Sequence, residues 1–138
     1  MATPFPFVSG AILTAAQMNS IGEASVSYTP TVTSGSGSFT TVSATGTYQR
    51  VNKMVVVRFE VTITTNGTAA SSVIVSLPFS CTGTTGSGVG SGRERAVLGN
   101  MFQVSLASTT TVSLLSPLNA YPGGTGYVLG GFAILEGA

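Results

Sequence analysis

Few side chains in this sequence could do acid–base or nucleophilic chemistry. His and Asp are absent, so neither a Ser-His-Asp nor a Cys-His arrangement can be built. A carboxylate pair of the kind that hydrolyses glycosides would have to come from the four glutamates, Glu23, Glu60, Glu94 and Glu136. Ion pairing or solvation explains each of them better, since Glu94, for example, lies between two arginines. We therefore predict that the chain is not an enzyme.

Three other motifs have structural interpretations. Cys81 has no second cysteine to pair with and no basic residue close by, which predicts an inert thiol. The glycines of residues 83–92 match neither the dinucleotide fingerprint nor a phosphate-binding loop. Residues 66–68 match a glycosylation sequon, but Asn-Gly is also favoured in tight turns, and we predict a turn. No cofactor and no metal ion are expected.

The composition excludes several classes of protein. Only 7% of residues are charged, against about 25% in an average soluble domain, while 43% are hydrophobic and the net charge is +1. Disordered chains and nucleic-acid-binding proteins need far more charge than this. The longest apolar run near the C-terminus, residues 127–135, is much shorter than the roughly 20 residues of a membrane helix. We expect no nucleic-acid partner and no membrane insertion.

Residues 1–24 differ from the rest of the chain. Thr14 and Gln17 fit a capping box, which predicts a short helix over residues 15–21. Before it, Phe5, Phe7 and Val8 lie among prolines, which predicts an extended apolar arm. A two-turn helix is too short to persist alone in water, so its apolar residues must be buried against something. The arm either docks on its own domain or grips a neighbouring subunit or another protein through Phe5, Phe7, Val8, Ile12 and Leu13.

From residue 25 onward the hydrophobic pattern has a period of two. The clearest case is residues 54–65, where five apolar side chains alternate with polar ones, as in a half-buried antiparallel strand. The other predicted strands are 25–32, 45–51, 72–77, 96–106, 110–115 and 127–135, separated by Gly-, Ser- and Thr-rich turns. This pattern predicts an all-β fold, an antiparallel β-sandwich of jelly-roll type. The predicted units are the arm and helix, residues 1–24, and the sandwich domain, residues 25–138.

Residues 81–95 stand apart from the other connections. The segment contains five glycines and ends in Arg93, Glu94 and Arg95, the densest charge in the chain. Structureless loops of this length are uncommon and are often functional. The segment is either a flexible connection between two sheets or an exposed binding loop that acts together with Tyr121 in the turn at 121–126.

Four strings resemble, in order and spacing, a family of tailed-bacteriophage virion proteins. Residues 10–21 (GAILTAAQMNSI) are similar to the LTA-x-x-(L/M)-N helix that precedes the head domains of fibre and decoration (cement) proteins. YTPTV at 28–32, GTYQRVNKMV at 46–55 and LP at 77–78 resemble the strands that follow it. The family usually has Gly where this chain has Asn52, and Asn tolerates positive φ well enough to keep the turn.

The resemblance implies a virion surface protein that assembles as a homotrimer, with the short helices near the three-fold axis. Met18 and Ile21 on the helix would then be trimer contacts. The expected location is the outer surface of the capsid, where the chain would bind the major capsid protein and stabilise the head. The chain begins at Met1 and shows no fibre shaft, which favours decoration. The alternative is the distal receptor-binding domain of a tail fibre or tailspike, which would recognise a host-surface glycan or receptor.

Overall fold

A computed structural model describes residues 10, 12, 14–21 and 24–138, of which residues 20 and 21 are described by their backbone alone. The described part contains one short helix followed by ten strands. The elements are α1 Ala15–Ile21, β1 Val26–Tyr28, β2 Val32–Ser36, β3 Thr41–Val51, β4 Met54–Thr65, β5 Ala70–Ser76, β6 Cys81–Thr82, β7 Gly88–Glu94, β8 Met101–Ser108, β9 Thr111–Leu115 and β10 Tyr127–Gly137.

The strands form one antiparallel sheet that curls into a half-barrel. Nine strands follow the order β1-β3-β4-β10-β7-β8-β9-β5-β2, and β6 pairs with the end of β10. β10 lies in the centre and pairs with β4 along ten residues, from Tyr127 opposite Ile63 to Glu136 opposite Met54. The prediction of an all-β, antiparallel, sandwich-like fold is confirmed.

One predicted strand is divided between the two ends of the sheet. Residues 25–32 were expected to form a single strand, but β1 pairs with β3 at one end of the strand order and β2 pairs with β5 at the other. Pro30 lies between them and has no N–H to donate to a ladder. Thr31 then joins β5, since its N–H donates to Ser76 Oγ at 2.8 Å and its carbonyl accepts from Ser76 N at 2.9 Å. Three residues thus connect the two ends, which is why the sheet must curl.

The core lies inside the curl and is built by the alternation that the sequence displays. On β4, the side chains at positions 55, 57, 59, 61 and 63 are buried, while the residues between them face outward. They pack against apolar side chains from β5, β8, β9 and β10. The turn from β4 to β5 does contain Asn66 and Gly67, with Gly67 at a φ of 62°. It is not a hairpin turn, however, because β5 pairs with β2 and β9 and not with β4.

The prediction of a structureless segment over residues 81–95 is wrong, because β7 occupies half of it and lies between β10 and β8 in the sheet. Gly90 and Gly92 explain why the sequence of β7 lacks the alternating apolar side chains by which the other strands were predicted. A Cβ at Gly90 would overlap the β10 backbone, and one at Gly92 would overlap the Phe102 ring. Glycine at alternate positions therefore lets β7 approach its neighbours closely, and this alternation was the available sign of a strand.

Two of the similar strings meet in the structure. β1 pairs with β3 so that Tyr28 lies opposite Gly46, and the Tyr28 ring covers the position that a Cβ of residue 46 would occupy. Tyr28 also meets the Tyr48 ring edge-on, with centroids 6.1 Å apart. In the turn after β3, Asn52 has a φ of 56°, as expected for a residue replacing Gly, and its carbonyl accepts from Arg50 Nε at 2.6 Å.

Candidate functional site

Glu94, at the end of β7, organises the loop that connects β7 to β8. Its side chain is only 1% exposed, and its two carboxylate oxygens accept hydrogen bonds from five backbone N–H groups. The donors are Ala96 (2.6 Å), Val97 (3.0 and 3.1 Å), Leu98 (2.7 Å), Gly99 (2.9 Å) and Val128 on β10 (3.3 Å). The carboxylate therefore takes the place of a backbone acceptor for residues 96–99 of the loop.

The ionised form of Glu94 is strongly favoured. Burial alone would raise the pKa of this carboxyl, but the N–H groups of Gly99, Ala96, Leu98 and Val97 outweigh it and lower the pKa to about 2. A general acid in glycoside hydrolysis needs the opposite shift, toward a raised pKa. The chemistry that this arrangement supports is loop positioning.

The loop held by Glu94 presents apolar side chains to solvent. Val97 and Leu98 project outward from it, Met101 is exposed at the start of β8, and Leu118 on the loop between β9 and β10 is 91% exposed. We call these four residues the apical cluster. Both loops lie at one end of the half-barrel, where the Gln103 side-chain amide donates to Asn119 Oδ1 at 2.7 Å. The cluster is thus an apolar surface on a fixed backbone.

The structure separates the four residues predicted for an exposed binding loop. Arg93 and Arg95 are exposed, and Arg95 forms an ion pair with Glu60 on β4. The prediction is wrong for Glu94, which is buried because its carboxylate replaces the missing backbone partners of the loop. Tyr121 is half-buried, and its hydroxyl donates to Asn66 Oδ1 at 2.5 Å, which ties its loop to the β4–β5 turn. Sequence reasoning missed the apical cluster, although two neighbouring apolar residues, Val97 and Leu98, were a visible sign.

The outward face of β3, β4 and β10 carries two adjoining hollows. The larger, of about 660 Å³, and the smaller, of about 320 Å³, share Thr47 and Arg58 in their walls. Thr47 and Phe132 are the cross-strand neighbours of Arg58 on β3 and β10. Phe132 lines the smaller hollow and is 41% exposed. Toward the turn after β3, the same face continues into exposed Met54 and Ile134.

The predicted helix forms, and the apolar side chains described on it and just before it are largely exposed. Thr14 and Gln17 form the expected capping box, because Thr14 N donates to Gln17 Oε1 at 2.9 Å and Gln17 N donates to Thr14 Oγ1 at 3.3 Å. Met18 is 55% exposed and Ile12 before the helix is 89% exposed. The other predicted arm residues, Phe5, Phe7, Val8 and Leu13, and the side chain of Ile21 lie outside the described residues.

Glu23 lies outside the described residues, and the other candidate reactive groups are engaged in the fold. Glu136 forms an exposed ion pair with Lys53 at 3.8 Å, and Glu60 pairs with Arg95. Burial raises the pKa of the Cys81 thiol, which donates to the Thr109 carbonyl at 3.1 Å. Within the described ranges no group of three or more His, Cys, Asp or Glu side chains is arranged to hold a metal ion. Nor does the described part of the chain include a helix long and apolar enough to span a bilayer.

Comparison with known proteins found no relative of this chain. No protein-family model, no curated protein and no solved structure matches this chain.

Proposed function

We propose that this chain is a bacteriophage virion structural protein, a homotrimeric capsid decoration protein that binds the outside of the head. The observation that carries the proposal is apolar surface on α1 that its own sheet does not cover: Met18 on the helix and Ile12 just before it are both exposed. A two-turn helix is marginal alone, so this surface favours burial against another subunit. The string similarity at residues 10–21 points to the same family of virion proteins.

The charge distribution supports an assembly held by shape and apolar contact. The net charge is +1, and the charges of Glu60 on β4 and Arg95 after β7 neutralise each other in an ion pair. Long-range attraction toward a partner is therefore weak, and salt should affect binding little. Contacts of this kind gain strength from the three copies of a trimer, because each copy raises the effective concentration of the others.

The apical cluster is a suitable second contact. Exposed apolar side chains on a mobile loop would lose much conformational entropy on binding, whereas the Glu94 carboxylate fixes the backbone of Ala96, Val97, Leu98 and Gly99 beforehand. In the proposed arrangement, α1 contacts neighbouring copies, while the arm before it and the apical cluster contact the coat. The two surfaces are separate, so they can be tested separately.

Trimer formation is tested by the mass of the purified protein in solution. Native mass spectrometry should find three times the chain mass of 13.8 kDa. Met18→Ser should shift the population toward single chains without changing the free energy of unfolding of the sheet, because Met18 is already exposed. The matched control is Met54→Ser, which removes an equally exposed methionine from the sheet and should keep the trimer. A wild-type protein that remains a single chain at high concentration would refute the trimer.

Binding to the head is tested with undecorated phage capsids. A variant lacking residues 1–13 should fold, because the sheet begins at Val26, and should fail to occupy the capsids. Undiminished occupancy would show that the arm has no part in binding. Leu98→Ser should weaken occupancy while leaving the trimer intact, and an unchanged occupancy would remove the apical cluster from the proposal.

The alternative is a receptor-binding tip of a fibre or spike. The observation that favours it is the pair of loops at one end of a rigid sheet, the arrangement through which many binding domains present contact residues. The two functions differ in where the protein is found: a tip would be lost when tails are removed, and a decoration protein would stay on the head.

A further inference from the structure

The two hollows on the outward face of β3, β4 and β10 adjoin at Thr47 and Arg58, and we call them together the groove. Its walls carry both polar and apolar side chains. The larger hollow is lined by Ser27, Thr29, Thr45, Thr47, Arg58 and Glu60. The smaller one adds Ser25, Val56 and Phe132 beyond Thr47 and Arg58. Volumes of about 660 and 320 Å³ lie in the range of small-molecule sites, roughly 300–1,000 Å³.

Arg58 is the charged group that lines both hollows, at the point where they adjoin. Glu60, two residues along the same face, gives its carboxylate to Arg95. Among the residues the structure describes, no carboxylate pairs with the Arg58 guanidinium and no hydrogen bond engages it. A guanidinium offers a planar pair of N–H donors that matches a carboxylate in bidentate geometry.

The surroundings of Arg58 decide which carboxylate would fit. Four serine and threonine hydroxyls line the larger hollow and can both donate to and accept from the hydroxyls of a ligand. On the other side of Arg58, the exposed ring of Phe132 offers an apolar face of the kind on which the C–H face of a sugar ring packs. Among the described residues that line the two hollows, Arg58 is the one cation, whereas a polyphosphate or a nucleic acid needs several cations to offset its charge.

We propose that this groove binds an acidic saccharide, with the carboxylate of a uronic acid on Arg58, sugar hydroxyls on Thr45 and Thr47, and a sugar ring against Phe132. The groove belongs to the folded sheet and uses neither α1 nor the apical cluster. Its saccharide binding therefore goes beyond the proposed virion function, and either can fail while the other holds.

The test is an NMR titration of the purified full-length protein with a trimer of galacturonic acid. Binding should shift the backbone amide signals of Thr47, Arg58 and Phe132 and leave those of Val97 and Leu98 in place. The methyl ester of the same sugar, which lacks the carboxylates, should bind at least about tenfold more weakly. No binding, or shifts confined to the apical loops, would overturn the proposal.

Variants of the protein test whether Arg58 binds the sugar carboxylate. Arg58→Gln should weaken binding about tenfold or more, because the charge-assisted pair is lost. Lys53→Gln removes the same charge from the β3–β4 turn outside both hollows and should bind like the wild type. Phe132→Ala should weaken binding of both the acid and the ester. Equal weakening by Arg58→Gln and Lys53→Gln would show that binding depends only on the net charge of the protein, and it would refute the assignment of the site to Arg58.

A carboxylate-bearing peptide is the competing ligand. A trimer of glutamic acid carries the same number of side-chain carboxylates without sugar hydroxyls, and it should bind more weakly than the sugar. Thr47→Val, which removes one hydroxyl with little change of shape, should lower the affinity for the sugar and leave that for the peptide unchanged. Equal or tighter peptide binding would replace the saccharide assignment with a protein partner.

Discussion

Replacing Glu94 by glutamine should lower the free energy of unfolding by about 3 kcal/mol. Glutamine keeps one carbonyl oxygen and puts an NH₂ group where the second oxygen was. In one orientation Ala96 and Val128 lose their acceptor, and in the other Leu98 and Gly99 do, because only Val97 contacts both oxygens. Two unsatisfied N–H groups cost about 1–3 kcal/mol each, toward the lower end here since the loop is partly open to water.

The assay is urea unfolding of both proteins at about pH 7, followed by circular dichroism, together with thermal melting. A loss of about 3 kcal/mol corresponds to a fall of roughly 10 °C in Tm for a domain of this size. Glu60→Gln is the matched control, because it removes the same charge from an exposed ion pair and should cost under about 1 kcal/mol. If Glu94→Gln costs no more than the control, the carboxylate does not hold the loop.

Acid should remove the same stabilisation. The pKa of Glu94 is about 2 in the folded protein against 4.5 for an unperturbed glutamate, so the ionised group stabilises the fold above about pH 4.5. As the pH falls from about 5 toward 2, the unfolded state takes up the proton first, and this contribution disappears. The stability difference between wild type and Glu94→Gln should therefore shrink over that interval. A difference that stays constant down to about pH 3 would contradict the assigned hydrogen bonds.

The remaining predictions concern the sheet. Tyr28→Phe should stabilise the fold by up to about 1 kcal/mol in urea unfolding, because the Tyr28 hydroxyl is buried and has no hydrogen-bond partner among the described residues. A loss of stability would show that the hydroxyl is satisfied. Gly92→Ala should cost about 2 kcal/mol or more, since its Cβ would overlap the Phe102 ring and the β10 backbone. Gly88→Ala, which meets open space, should cost little, and equal losses would contradict the close approach of β7.

Local patterns predicted the elements that depend on neighbouring residues. The capping box gave helix α1 over residues 15–21, and strict alternation gave β4 over residues 54–65, both with the bounds observed. In each case the signal lies in the element itself: a Thr–Gln pair three residues apart, or five buried side chains at a spacing of two.

The features that the sequence did not predict depend on pairing between strands that are distant in the sequence. The local sequence does not show that residues 26–28 and 32–36 pair with different strands. That difference depends on contacts of Thr31 and β2 with β5, which is distant in the sequence. β7 was missed because its packing requires the absence of side chains, which hydrophobic patterns do not register. The groove beside Arg58 could not be predicted from the sequence either. Thr47, Arg58 and Phe132 belong to three different strands, and only the pairing register places them side by side.

The number of copies per particle tests the decoration proposal most directly. Quantitative mass spectrometry of purified virions, and of heads from which the tails have been removed, would count this chain against the major capsid protein. Decoration predicts hundreds of copies per particle, retained on tailless heads. A handful of copies lost together with the tail, or none on the particle, would contradict it.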